Sequence, residues 1–109
     1  MKKLIQQGDV LVFAVSEIPS DAKKVLVKDS RGIVLAEGEA TGHAHTIDRL
    51  DLCEMFQDSA NNLWLSVTGE GVVVHHQEHK AVEIPKGKYK IGIVREVDPF
   101  AEEIRKVTD

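Results

Sequence analysis

A single cysteine, Cys53, leaves this 109-residue chain with no internal disulfide and no paired-cysteine metal site. It sits in an apolar-rich run, residues 50–56, and reads as a small buried hydrophobe in a reducing compartment. A basic excess is lacking too. Fourteen Lys and Arg stand against 18 Asp and Glu, a formal charge of −4, whereas a nonspecific nucleic-acid binder needs a basic face to neutralise phosphates. Aromatics are scarce: Trp64 and Tyr89 are too few for the stacking platform of a single-strand binder, and Trp64 reads as a core residue. No apolar run approaches the roughly 18 residues of a membrane span. Residues 1–8 turn polar after Leu4 and Ile5, unlike a signal peptide, so the expected location is the cytoplasm, with no membrane partner. A glycine-rich phosphate loop and a Ser-His-Asp order are both missing.

What is present suffices for one modest core. A hydrophobic fraction of 42% suits a single domain, residues 1–109, that needs neither metal nor disulfide merely to fold. Gly8-Asp9 marks a turn, and residues 10–15 (Val-Leu-Val-Phe-Ala-Val) read as a buried strand. Pro19 and its neighbours stop it. Residues 23–28 read as a second strand, with Val25 and Val27 on one face, and the turn Asp29-Ser30-Arg31-Gly32 would fold it as a hairpin onto residues 33–37. Further strands are expected at 52–57, 63–67, 72–75, 81–84 and 89–94. Asp98-Pro99 has the form of a helix cap and first helical position, with Ile104 as the anchor of the turns that follow. Short, closely spaced strands without βαβ alternation predict an all-β barrel or sandwich with a short C-terminal helix.

All five histidines fall in two short clusters: His43 and His45, directly after Gly42, and His75, His76 and His79. Residues i and i+2 of a strand share a face, so His43 and His45 project together and can chelate one ion. In the second cluster Val72, Val74 and His76 share a face, Val73 and His75 share the other, and His79 lies past a bend at Gln77-Glu78. The expected metal ligands are therefore His43, His45, His76 and His79, with Glu78 or Glu39 as carboxylate ligand or base. Three nitrogens and an open position would describe a catalytic zinc or iron site, four a closed one. The plainer alternative is a set of exposed or hydrogen-bonded histidines. Whether the two clusters meet decides between these readings.

Some motifs carry a likeness. His75-His76-Gln77-Glu78-His79 matches His-x-x-Glu-His letter for letter, but that metalloprotease pattern needs a helix. No helix fits between three valines and Ala81-Val82-Glu83-Ile84-Pro85. His43-Ala44-His45, followed about forty residues later by Pro85-Lys86-Gly87, resembles the two half-motifs of cupins, in which the first supplies two histidines and a glutamate and the second a histidine. Here Arg49 or Leu50 stands at the glutamate position and Lys90 at the histidine position, so the resemblance implies a cupin-like β-barrel and carries no metal site across. A wider resemblance covers almost the whole chain. Gln7-Gly8-Asp9-Val10, residues 38–45, His76-Gln77-Glu78-His79, Pro85-x-Gly87-x-Tyr89 and Arg95-Glu96-x-Asp98-Pro99 are together similar to a group of small uncharacterised proteins of bacteria and phages. That likeness implies that Asp9, the histidines and Arg95 belong to one pattern; Gln77 and Val97 replace an acidic and an aromatic residue of the group.

Other polar residues have plainer readings. Asp9 is a turn former that could also ligate a metal or orient an imidazole. Arg95-Glu96 reads as an exposed ion pair, and Lys80, Lys86, Lys88 and Lys90 as a solvated basic corner that protects a strand edge. The functional expectation is a small β-barrel that binds a divalent transition metal, zinc foremost, and, if catalytic, activates water with Glu78 or Glu39 handling protons. The alternative is a non-catalytic, phage-associated module that presents one face to a protein partner.

Overall fold

The computed structural model describes residues 4–37 and 42–94. Ten strands follow in order: β1 (Leu4–Gln7), β2 (Val10–Val15), β3 (Lys23–Lys24), β4 (Ile33–Glu37), β5 (Ala44–Ile47), β6 (Cys53–Gln57), β7 (Leu63–Val67), β8 (Val72–Val74), β9 (Val82–Ile84) and β10 (Gly87–Ile93). Six make one sheet in the order β1-β2-β10-β7-β6-β3, while β4-β5 and β8-β9 are separate two-stranded sheets. All named pairings are antiparallel. No helix occurs among the described residues, and no sheet closes on itself into a barrel.

Period-two alternation explains which side chains go inside. Cys53 and Met55 of β6, Leu65 and Val67 of β7, and Val72 and Val74 of β8 are buried, while Glu54, between the first two, faces water. One cluster unites these residues with Val10, Val12, Tyr89 and Ile91 of the large sheet and with Ile33, Leu35, Ile47 and Ile84 of the small ones. A single core therefore lies between the large sheet and the two small ones. Gly8 takes φ +57°, the left-handed value that the two-residue β1–β2 connection demands and glycine adopts without cost.

Some expectations need correction. Residues 23–28 do not form a full strand: only Lys23–Lys24 pair, and they pair with β6, not with β4. Val25 still donates its N–H to the Met55 carbonyl, but β4 is taken by β5, so the expected hairpin does not form. Tertiary pairing overrides a local turn when both strands find better-packed partners. β1 carries no clear strand signal, because Gln6 and Gln7 dilute its apolar content; it forms by pairing with β2. Trp64 is half-buried, its indole N–H donating to Asp58 Oδ2 at 3.1 Å, and not a fully enclosed core residue. The expected helix at residues 98–107, with Asp98, Pro99 and Ile104, lies outside the described residues, as do Arg95, Glu96, Val97 and Glu39.

Candidate functional site

Both histidine clusters lie at the connections of the small sheets, the first running on into β5. His43 ends the β4–β5 connection and His45 lies in β5; His75, His76 and His79 lie between β8 and β9. An antiparallel bridge joins the two sheets at Thr46 and His75, which exchange N–H···O bonds of 2.9 and 2.8 Å. In that register residue 45 faces residue 76 and residue 47 faces residue 74. Ile47 and Val74 are buried in the core, so His45 and His76 continue the same inward face one step beyond it. Their ring centres stand 4.4 Å apart.

The remaining contacts complete a group of four rings. His79 lies 4.6 Å from His76 and 5.9 Å from His45, near-parallel to the latter, and His43 stands edge-on to His76 at 5.7 Å. The fold thus brings together His43, His45, His76 and His79. His75 is left out: it projects to the other side, exposed, with Nε2 3.9 Å from Asp48 Oδ1. Glu78 reaches the rim of the group, its Oε1 3.6 Å from His43 Nδ1.

Gln7 binds the group to the large sheet. Its amide nitrogen donates to the carbonyls of Val74 and Lys80, each at 3.0 Å, clasping both ends of the loop that carries the second cluster. Its Oε1 meets His45 Nδ1 at 2.8 Å. A carbonyl oxygen can only accept, so the two backbone contacts set the amide orientation, and His45 Nδ1 must be the donor. Gln7 and His45 are 4% and 1% exposed, and no buried side-chain polar atom among the described residues lacks a partner. The sequence gives little sign of Gln7; only its place before Gly8-Asp9 in the wider resemblance hints at it.

Other hydrogen bonds shape the rest. His76 Nδ1 accepts the backbone N–H groups of Glu78 (3.0 Å) and His79 (3.3 Å), which leaves its proton on Nε2 in the neutral ring. Gln77 Oε1 accepts the N–H of Ala44 at 2.8 Å, a second tie between the connections. His79 lies against the bare backbone of Gly8, where a Cβ would come 2.6 Å from its Nε2. Asp9, half-exposed on the same turn, places Oδ1 3.3 Å from His45 Nε2.

Burial, and secondarily the His76 imidazole, hold the His45 pKa below the ordinary histidine value against the pull of Asp9. Burial and the neighbouring His79 and His43 lower that of His76 as well. Neutral imidazoles are the form that binds metals. As placed, no three His, Cys, Asp or Glu side chains among the described residues are gathered around one point to hold a metal ion. Cys53 is no nucleophile: burial pushes its thiol up to about 12.

Two open grooves flank the site. One, of about 610 Å³, is bordered by Asp9, Phe13, Asn61, Asn62, Leu63 and Lys90; the other, of about 490 Å³, by Asp48, Arg49, Glu70, His75 and Glu83. Neither is lined by a ring of the four-histidine group; the first reaches Asp9, the carboxylate beside His45. Among the described residues no helix is long and apolar enough to cross a membrane.

A family model described as "Domain of unknown function (DUF8820)" matches residues 6–94, a span that holds Gln7, Asp9 and all five histidines, and the chain belongs to that family. No curated protein and no solved structure matches it.

Proposed function

We propose that this member of the DUF8820 family holds a divalent transition metal, zinc foremost, at the histidine group, drawing its ligands from His43, His45, His76 and His79. The observation that carries the reading is the meeting of four imidazoles from two separate connections, with neighbouring ring centres 4.4–5.9 Å apart. Two imidazoles bound tetrahedrally to one zinc, with bonds of about 2.0–2.1 Å, have ring centres roughly 5 Å apart. His43 and His79 are only partly covered and can turn between staggered rotamers, whereas His76 is tied through Nδ1 to two backbone N–H groups.

A zinc with three protein ligands would lower the pKa of a bound water and make it a nucleophile near neutral pH. Glu78, beside His43, is the described carboxylate able to take the proton; Glu39 is the other candidate. The inert, buried Cys53 suits a reducing compartment such as the cytoplasm. The architecture this reading rests on is a two-layer sandwich, the large sheet against the two small ones.

Elemental analysis of untagged protein tests it, alongside the His43→Ala/His79→Ala variant. Near-stoichiometric zinc that the variant loses is expected. Metal-free protein that also takes up no added zinc would overturn the reading. A second reading, a non-catalytic and phage-associated module that docks a protein partner, is favoured by the exposed Leu26 and Leu50, which border one shallow groove. It predicts that Leu26→Asp abolishes partner capture and leaves zinc content unchanged.

A further inference from the structure

We propose that Asp9 is a metal ligand opposite His45, and that Gln7 is the positioning residue that prepares the pair by holding the His45 proton on Nδ1. The inference rests on the metal reading above and narrows it to a mixed imidazole and carboxylate site. With the Gln7 amide oriented by the Val74 and Lys80 carbonyls, His45 donates from Nδ1 and keeps a bare lone pair on Nε2. That lone pair faces a carboxylate oxygen 3.3 Å away. Two acceptors cannot hydrogen-bond to each other, so a cation or a proton belongs between them. Donors on neighbouring corners of a zinc tetrahedron with bonds of about 2.0–2.1 Å stand roughly 3.3–3.4 Å apart, the separation seen here.

The surroundings fit this assignment. A metal-bound imidazole commonly donates its second ring nitrogen to a carbonyl or carboxylate, and the Gln7 amide oxygen occupies that place. The Asp9 backbone is anchored by the Val94 N–H at 2.7 Å, while its side chain is 51% exposed and open to an incoming ion. Because His76 Nδ1 is occupied by two backbone N–H groups, His76 is a proton donor from Nε2, not a ligand. His45 and Asp9 would then start the shell, with His79, its ring 5.9 Å from that of His45, as the next imidazole, and Asp9 also borders an open groove.

Two measurements test the proposal. Zinc affinity, read by competition with a chromophoric chelator, is expected to fall about a hundredfold or more in Asp9→Asn, about 10–100-fold in Gln7→Leu, and less than about tenfold in His76→Asn. In the metal-free wild type, ¹⁵N chemical shifts are expected to show His45 protonated on Nδ1 and bare on Nε2, and Gln7→Leu is expected to move the proton to Nε2. That spectrum separates tautomer control from mere support of the loop, and it reads on the wild type even if Gln7→Leu fails to fold. Wild-type protein that binds zinc while Asp9→Asn binds it equally well overturns this assignment and leaves the metal reading standing. Wild-type protein that takes no zinc overturns both, and a His45 that carries its proton on Nε2, or on both nitrogens, overturns the role of Gln7.

Discussion

Gly8 shows how one residue can matter by what it lacks. Its φ of +57° is open to other residues at a cost of about 1 kcal/mol or somewhat more, so Gly8→Ala should weaken the fold only modestly. The added Cβ, however, would come 2.6 Å from His79 Nε2 and push the ring off the turn. Gly8→Ala is therefore expected to lose more zinc affinity than stability, which chelator competition and urea unfolding on the same preparation will compare. Gln7 acts through reach instead. Its two carbonyl partners lie 67 and 73 residues along the chain, and no local pattern announces such a contact.

Among the elements, the β6–β7 hairpin has the clearest local cause. Asp58 Oδ1 accepts the N–H groups of Ala60 and Asn62, its Oδ2 accepts Asn62 Nδ2 and Trp64 Nε1, and Asn61 takes φ +67°. Burial pulls the Asp58 pKa upward, yet the hydrogen bonds from Asn62, Trp64 and Ala60 together win and hold it below the usual carboxylate value. A depressed native pKa adds stability above the unfolded pKa and loses it as pH falls through the native one. Asp58→Ala should lower Tm by a few degrees at neutral pH and shift Trp64 fluorescence to the red. The difference between variant and wild type should shrink in acid, below the ordinary carboxylate range. The turn at residues 58–62 was legible because its chemistry is local; the strand expected at 23–28 was not, because β6 is its partner and no turn joins them.

For the whole molecule, the decisive fact is that one core serves three sheets. Ile84, fully buried in β9, belongs to the same cluster as Leu65 and Val12 of the large sheet. Ile84→Ala should cost about 2–5 kcal/mol, a large share of the roughly 5–15 kcal/mol typical of a domain. The loss should appear as an earlier single transition in urea, followed in parallel by circular dichroism and Trp64 fluorescence. Two separate transitions would mean that the small sheets melt independently.

The sequence by itself determined most of the longer strands and much of their facing, though not β1 or the extent of β3. The runs at residues 10–15, 33–37 and 63–67 became β2, β4 and β7 with the same bounds, because short, near-continuous runs of β-branched, aromatic and other apolar side chains favour buried extended backbone. It also placed Val72, Val74 and His76 on one face, since alternation along a strand is a local property. Only the tertiary structure decided what meets what: that β4 pairs with β5, that Thr46 bridges His75, and that Gln7 clasps the loop beside His45. Beyond the β4–β5 pairing, those contacts join residues 29 to 67 positions apart, and they depend on register and on buried backbone groups finding partners. The histidines were visible as two clusters in the chain; four of them meet beside Asp9 only because the fold joins the two small sheets and seats them against the β1–β2 turn of the large one.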